Sequence, residues 1–323
     1  MRRALRIIGW TFGILFAVIF VSVAGCVAHA NYRIAKDEVA AYDAHAPGKY
    51  FTVQGHRLHV QTIGDVGARG ANPPLMLVHG FVLSGQATIE PWARRMLAPS
   101  RALLLPDNLG YGFSERIPRS GDHYSLESHA RDLAGLLDQL GLQQVDIAGH
   151  SWGGVIAAQF AHDFPQRVRR LVIIDGGFFY PKSSPLERIT YLPLGIGRSV
   201  VWHTLAGGPA SYVNRICRSL RNCPAAAPTA FIRDSTPTLQ AMMQTSRATD
   251  GMAAIEAQLG RIDSRTLVLW GALDQLLPLS TGERLAREMP NARLAVVEDA
   301  WHMPWLEAPE ETAKPLLAFL DEP

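Results

Sequence analysis

The sequence predicts an α/β fold built on a mostly parallel sheet, with a helical insertion and an N-terminal helix of membrane length. Three observations predict it. First, short apolar runs of strand length recur at 75–78, 145–148, 266–270 and 292–297, and another ends at Ile174. Continuous apolar runs of that length suit strands buried on both faces, as in parallel sheets. Second, Gly149-His150-Ser151-Trp152-Gly153 lies between one such run and an apolar helical pattern at 155–164. A G-x-S-x-G sequence between strand and helix makes a sharp turn that lifts its serine above the sheet. Third, Asp274 and His302 each fall on a loop just past a strand. Open α/β sheets place their ligand-binding groups there.

A serine hydroxyl is a weak nucleophile at neutral pH. It needs a histidine to take its proton and an acid to orient that histidine. Where the nucleophile sits on a strand–turn–helix corner, the chain order is serine, acid, histidine. Ser151, Asp274 and His302 follow that order. Plainer readings exist for each. Asp274 also stands where a turn former or a cap for a helix at 280–288 would stand. Asp175, at the end of the run 173–174, is a rival acid. A surface-loop histidine is the lesser reading of His302, and His123 and His203 are rival bases, although neither follows a core strand. His150 lies in the turn itself and is expected to pack beside the serine rather than act as its base. Two backbone N–H groups are needed for an oxyanion. Trp152, directly after the serine, and Phe81, after His79-Gly80 at the end of the run 75–78, are the candidates.

With these residues in place, the chain resembles the α/β-hydrolase superfamily from about residue 50 to 320. Residues 51–60, with Gly55 among them, look like the opening hairpin. His79-Gly80-Phe81 looks like the oxyanion turn, and 106–114 like the glycine-rich loop after the next strand. Ala300-Trp301-His302, with Glu307 and Pro309 beyond, looks like the histidine loop and final helix. The resemblance implies an eight-stranded, mostly parallel sheet with helices on both faces. It implies a serine hydrolase with Ser151, Asp274 and His302 as its triad and with no cofactor. Asp107 is structural in this pattern. The serine separates the chain from epoxide hydrolases and haloalkane dehalogenases, which use aspartate there. The His-Gly turn lacks the Gly-Pro-Gly extension of proline iminopeptidases and many carbon–carbon bond hydrolases. Trp301 replaces the glycine usual before the histidine. No helix follows the second glycine-rich loop at once, so no nucleotide site is expected.

Asp175 and Thr266 are roughly 90 residues apart, too far for a simple crossover. Residues 178–255 read as a helical cap, with helices at 186–191, 196–205, 210–220 and 238–248. Its Phe178, Phe179, Tyr180, Tyr191, Trp202, Tyr212 and Phe231 suit a small core of its own and an apolar substrate cavity. The expected reaction is therefore hydrolysis of an ester with a hydrophobic part. Amide, lactone or carbon–carbon bond hydrolysis and cofactor-free perhydrolysis would use the same triad. A non-catalytic binding protein on this fold is the more distant reading. The expected domains are an anchor or signal at 1–30, a linker or short helix at 31–48, core at 49–177, cap at 178–255 and core again at 256–323.

Residues 7–24 are almost wholly apolar, preceded by Arg2, Arg3 and Arg6, and the next charge is Arg33. As a helix they span about 27 Å, near the thickness of a bilayer's hydrocarbon. One reading is an uncleaved single-pass anchor, with the basic end inside and the catalytic domain outside. A second is a secretory signal cut after Ala28-His29-Ala30. A third is a lipoprotein signal, since Val23-Ala24-Gly25-Cys26 resembles a bacterial lipobox with Cys26 lipidated. The apolar stretch outruns the usual core of a signal, which favours the anchor. Cys217 and Cys223 suit either a small disulfide loop or two free thiols. No spacing resembles a zinc site. A net charge of +2 gives no reason to expect nucleic acid, and Arg167, Arg169 and Arg170 read as the solvated end of a helix.

Overall fold

The computed structural model describes residues 2–43, 47–67, 72–80, 89–115, 117, 123–179, 192, 195–201, 203 and 249–323. Helix α1 (Arg2–Asp43) runs unbroken through the apolar stretch and into the segment expected as a linker or short helix. The hairpin strands β1 (Lys49–Val53) and β2 (His56–Ile63) follow, then β3 (Leu75–Val78), α2 (Glu90–Met96) and β4 (Leu103–Pro106). Next come α3 (Leu126–Gln139), β5 (Val145–His150), α4 (Trp152–Asp163), β6 (Val168–Ile174), α5 (Ile196–Val201) and α6 (Thr249–Glu256). The chain ends with β7 (Arg265–Gly271), α7 (Leu279–Glu288), β8 (Ala292–Val297), α8 (Pro304–Glu307) and α9 (Pro309–Leu320).

The eight strands form one sheet in the order β1-β2-β4-β3-β5-β6-β7-β8. The β1–β2 and β2–β4 pairs are antiparallel and the rest parallel. Between β1 and β2, Gln54 and Gly55 both take left-handed backbone angles, φ 49° and 84°. Two such residues in succession match the twist of a tight hairpin.

Alternation along the central strands divides the core into two layers. Ile147, Leu171, Ile173, Val268 and Trp270 pack on one face with side chains of α3 and α4. Ala148, Val172, Ile174, Leu267 and Leu269 pack on the other with those of α2 and α9. Both faces are covered, so the strands read as unbroken apolar runs rather than as alternating ones. The parallel strands all end on one edge of the sheet, which is where Ser151, Asp175, Asp274 and His302 gather.

Three features depart from the sequence reading or refine it. Arg169 and Arg170 do not form a solvated helix end; they belong to β6. Arg170 is buried, and its guanidinium donates to Leu320 O and Glu322 O. Arg169 reaches Asp146 at 2.8 Å through Nε. A turn of 3₁₀ helix at 165–167 brings the chain straight into the strand, and the C-terminal residues come round to pair with it. Helix α6 crosses the expected boundary at 255, and its Met252 and Ile255 join the core beside Phe178. Of the expected cap, residues 180–191, 193–194, 202 and 204–248 lie outside the described residues. So do Tyr180, Tyr191, Trp202, Tyr212, Phe231, Cys217 and Cys223. Helix α5 falls within the helix expected at 196–205.

Helix α1 carries a span, Gly9–Arg33, long and apolar enough to cross a membrane, with a mean hydropathy of 2.4. Side chains from Trp10 to Val23 stand exposed on it. Near the end of that span it meets α5. There Ala30 is buried, and Asn31 Nδ2 donates to Val27 O at 2.7 Å and reaches toward Gly195 O at 3.4 Å.

Candidate active site

Ser151 occupies the corner between β5 and α4 with φ 51° and ψ −119°. A non-glycine residue adopts such angles only when its surroundings force them. Here the force comes from both sides of the corner. Ser151 N donates to Ile174 O at 2.9 Å, and its carbonyl accepts from Gly154 N and Gly177 N, each at 2.9 Å. The flanking glycines permit the crowding. A Cβ on Gly149 would lie 2.1 Å from Gly153 O, and one on Gly153 would lie 2.3 Å from Val78 O. Trp152 is the first residue of α4, so its amide N–H has no intrahelical acceptor and belongs to the helix's positive end. Phe81, the other expected oxyanion donor, lies outside the described residues. The turn leading to it is held by His79, whose Nδ1–H donates to Gly80 O at 2.8 Å while Nε2 accepts from Asn108 N at 3.0 Å.

Asp274 and His302 come from loops after the adjacent strands β7 and β8. His302 Nδ1 donates to Asp274 Oδ2 at 2.7 Å, and both side chains are almost fully buried. Asp274 Oδ1 accepts from Leu276 N at 2.8 Å and Leu277 N at 2.9 Å. Asp274 is thus a turn former and the histidine's partner at once. With Nδ1 committed as donor, the Nε2 lone pair is left to accept a proton.

His150 links this pair to the serine corner. Its Nε2–H donates to the His302 carbonyl at 2.8 Å. Its ring stands 4.8 Å from the His302 ring and edge-on to Trp305 at 4.5 Å between centroids. Burial, and then the nearby His302 imidazole, hold His150 well below the ordinary histidine range. His150 is therefore neutral at physiological pH and acts here as a fixed donor. Trp301 N donates to Glu307 Oε2, tying the histidine loop to α8.

The sequence order of Asp274 and His302 anticipates their contact. The His150 bond to the His302 carbonyl leaves no sequence signature, because it joins residues 152 positions apart. Asp175, the rival acid, is buried beside this pair, and the imidazole bonds Asp274 instead; one side-chain oxygen or nitrogen each of Asp175, Asp274 and His302 lies within 4.8 Å of the others. His203 and His123 are not part of this group, and His123 packs edge-on to His56 with ring centroids 4.8 Å apart. Cys26 is an exposed free thiol on α1.

The alpha/beta hydrolase fold family matches residues 73–194. A 2-hydroxymuconate semialdehyde hydrolase of Pseudomonas putida is 32% identical over 278 residues, covering 85% of this chain and 94% of the relative. Lipase 1 of Psychrobacter immobilis is 28% identical over 254 residues, 77% of each chain. Among solved structures, a membrane phospholipase A superposes with a TM-score of 0.66 at 23% identity, over 99% of this chain and 98% of its own. That last likeness is one of fold. Identity above 30% across nearly the whole of a curated relative, on a sheet of this order with the serine at its central corner, makes the chain a member of the α/β-hydrolase fold family.

Proposed function

We propose that this protein is a serine hydrolase that cleaves a carboxylic ester with a hydrophobic part. The observation that carries the reading is the buried His302–Asp274 bond of 2.7 Å, with the His302 backbone held to the residue preceding Ser151. Ser151 Oγ attacks the ester carbonyl while His302 Nε2 takes its proton. Asp274 keeps His302 in the required tautomer and stabilises the imidazolium that forms. The N–H groups of Trp152 and Phe81 bind the oxyanion. Protonated His302 then gives its proton to the leaving alcohol. Water enters by the same base, the acyl-enzyme is hydrolysed, and Ser151 regains its proton. No step needs a cofactor or a metal. A lipase among the relatives, and a His79-Gly80 turn without the extension common in carbon–carbon bond hydrolases, support the ester. The Pseudomonas putida relative favours a second reading, in which the same residues cleave a carbon–carbon bond next to a carbonyl.

The proposal extends to residence. Helix α1 serves as an uncleaved anchor with the catalytic domain on the outer side, and residues 178–255 serve as a cap over an apolar site. The exposed apolar span and the unbroken helix beyond it support the anchor. Cleavage after Ala30 would cut the helix where it packs against α5.

Fluorophosphonate labelling of wild type and Ser151→Ala, in membrane and soluble fractions, tests both parts. Labelling is expected in membranes and absent from Ser151→Ala, with turnover reduced about 10⁴-fold or more. An active Ser151→Ala protein would overturn the mechanism. Turnover of 2-hydroxymuconate semialdehyde in preference to p-nitrophenyl esters would replace the ester with the carbon–carbon reading.

A further inference from the structure

Asp175 is a buried carboxyl that the proposed mechanism leaves unused. It follows β6, next to β7, and is wholly inaccessible to solvent. Its backbone is fixed in a left-handed conformation, φ 42°, by a bond from its own N–H to Leu269 O at 3.0 Å. Its side chain is fixed by Gly271 N, which donates to Oδ1 at 2.9 Å. The other oxygen, Oδ2, is buried with no donor facing it. Beside this carboxyl stands a second one, Asp274, and one side-chain oxygen or nitrogen each of Asp175, Asp274 and His302 lies within 4.8 Å of the others.

The two carboxyls are not equivalent. Asp274 receives three donors, from Leu276 N, Leu277 N and His302 Nδ1. Asp175 receives one. Two buried carboxylates at this separation cannot both be ionised without a large penalty, so one keeps a proton. The one with fewer donors keeps it. Glu307 lies close enough to disfavour a charge on Asp175 further. Burial first, and then the charge of Asp274, hold the Asp175 carboxyl well above its ordinary range, against the pull of the Gly271 N–H.

We propose that Asp175 is a positioning residue, held as a neutral carboxylic acid whose Oδ2–H donates to the carboxylate of Asp274. This deepens the triad reading and rests on it. The added donor fixes the rotamer of Asp274 and disperses its charge. Asp274 is thereby kept from taking the Nδ1 proton of His302 when the imidazolium forms. The proton on Asp175 does not move during turnover.

The test compares Asp175→Asn and Asp175→Ala with wild type in the full-length chain, with p-nitrophenyl butyrate as probe. Asparagine is the uncharged isostere: its oxygen still accepts from Gly271 N and its amide still donates to Asp274. It is expected to lower kcat by about 5-fold, with KM held and the acid limb of the kcat/KM profile in place. Alanine removes the donor and is expected to lower kcat by about 10- to 100-fold, again with KM held. A shift of the acid limb in Asp175→Asn to lower pH by about one unit or more would mean that a negative charge had been lost beside His302, and would overturn the proposal. Infrared difference spectra give an answer independent of turnover. Wild type should show the C=O stretch of a buried protonated carboxyl that Asp175→Asn lacks, and absence of that band overturns the proposal even if alanine fails to fold. Inactivation by a chelator, reversed by a divalent cation, would show the carboxyls sharing a cation instead, and would also overturn it. Loss of Ser151 labelling sinks the hydrolase reading, while the infrared band still decides Asp175.

Discussion

Asp132 illustrates how one buried carboxyl can set a pH dependence. It lies on α3, where Oδ1 accepts from Gln54 Nε2 at 2.7 Å and Oδ2 has no partner. Burial pushes it up to about 7, against the pull of Gln54 and Arg131. Between the ordinary carboxylate value and about 7, the folded protein holds a proton that the unfolded chain has released. Stability therefore falls as pH rises through that interval, and the loss is complete above it. Asp132→Asn keeps the Gln54 bond and cannot ionise. It is expected to raise stability by about 2–4 kcal/mol at pH 8 and to change it little at pH 4, as thermal melts at the two pH values would show. Equal gains at both would mean that the charge is not the cause. At this scale the sequence is only partly legible. The order of Ser151, Asp274 and His302 can be read from it, because chain order and strand ends are sequence properties. The pairing of Asp175 with Asp274 cannot, because it depends on β6 lying beside β7 and on which oxygens receive donors.

The corner between β5 and α4 is the element on which the site depends, and its glycines are spatial requirements. The Cβ of Gly153→Ala would meet Val78 O and His79 O, both backbone atoms that cannot swing aside. The expected cost is about 2–4 kcal/mol, with fluorophosphonate labelling slowed as well, because β3 and the turn after it must shift. A melt unchanged from wild type would show the corner to be softer than its geometry implies. The strands of the parallel core were legible as apolar runs because both faces of the sheet are covered. The Arg169-Arg170 segment was not. Charged residues after a helix resemble a solvated end, and nothing local announces that Asp146 and residues 320–322 will meet them. The partners come from residues up to 152 positions away.

At the scale of the whole molecule, the sheet and its two helical layers account for the core, and α1 stands outside it. Full-length protein is expected to stay with membranes through an alkaline carbonate wash. A variant lacking residues 1–33 is expected in the soluble fraction with its fluorophosphonate reactivity kept. If the shortened variant still sediments with membranes, another surface provides the attachment. The contact of Ala30 and Asn31 with the segment at 195–201 gives this helix a rotational phase. Each residue turns an α-helix by about 100° and advances it about 1.5 Å. One alanine inserted between Gly25 and Cys26 would leave the contact untouched, yet swing every side chain from Trp10 to Val23 by about 100° around the axis. The catalytic domain thus dictates which flank of the helix points in which direction, much as a keyway fixes the angle of a shaft.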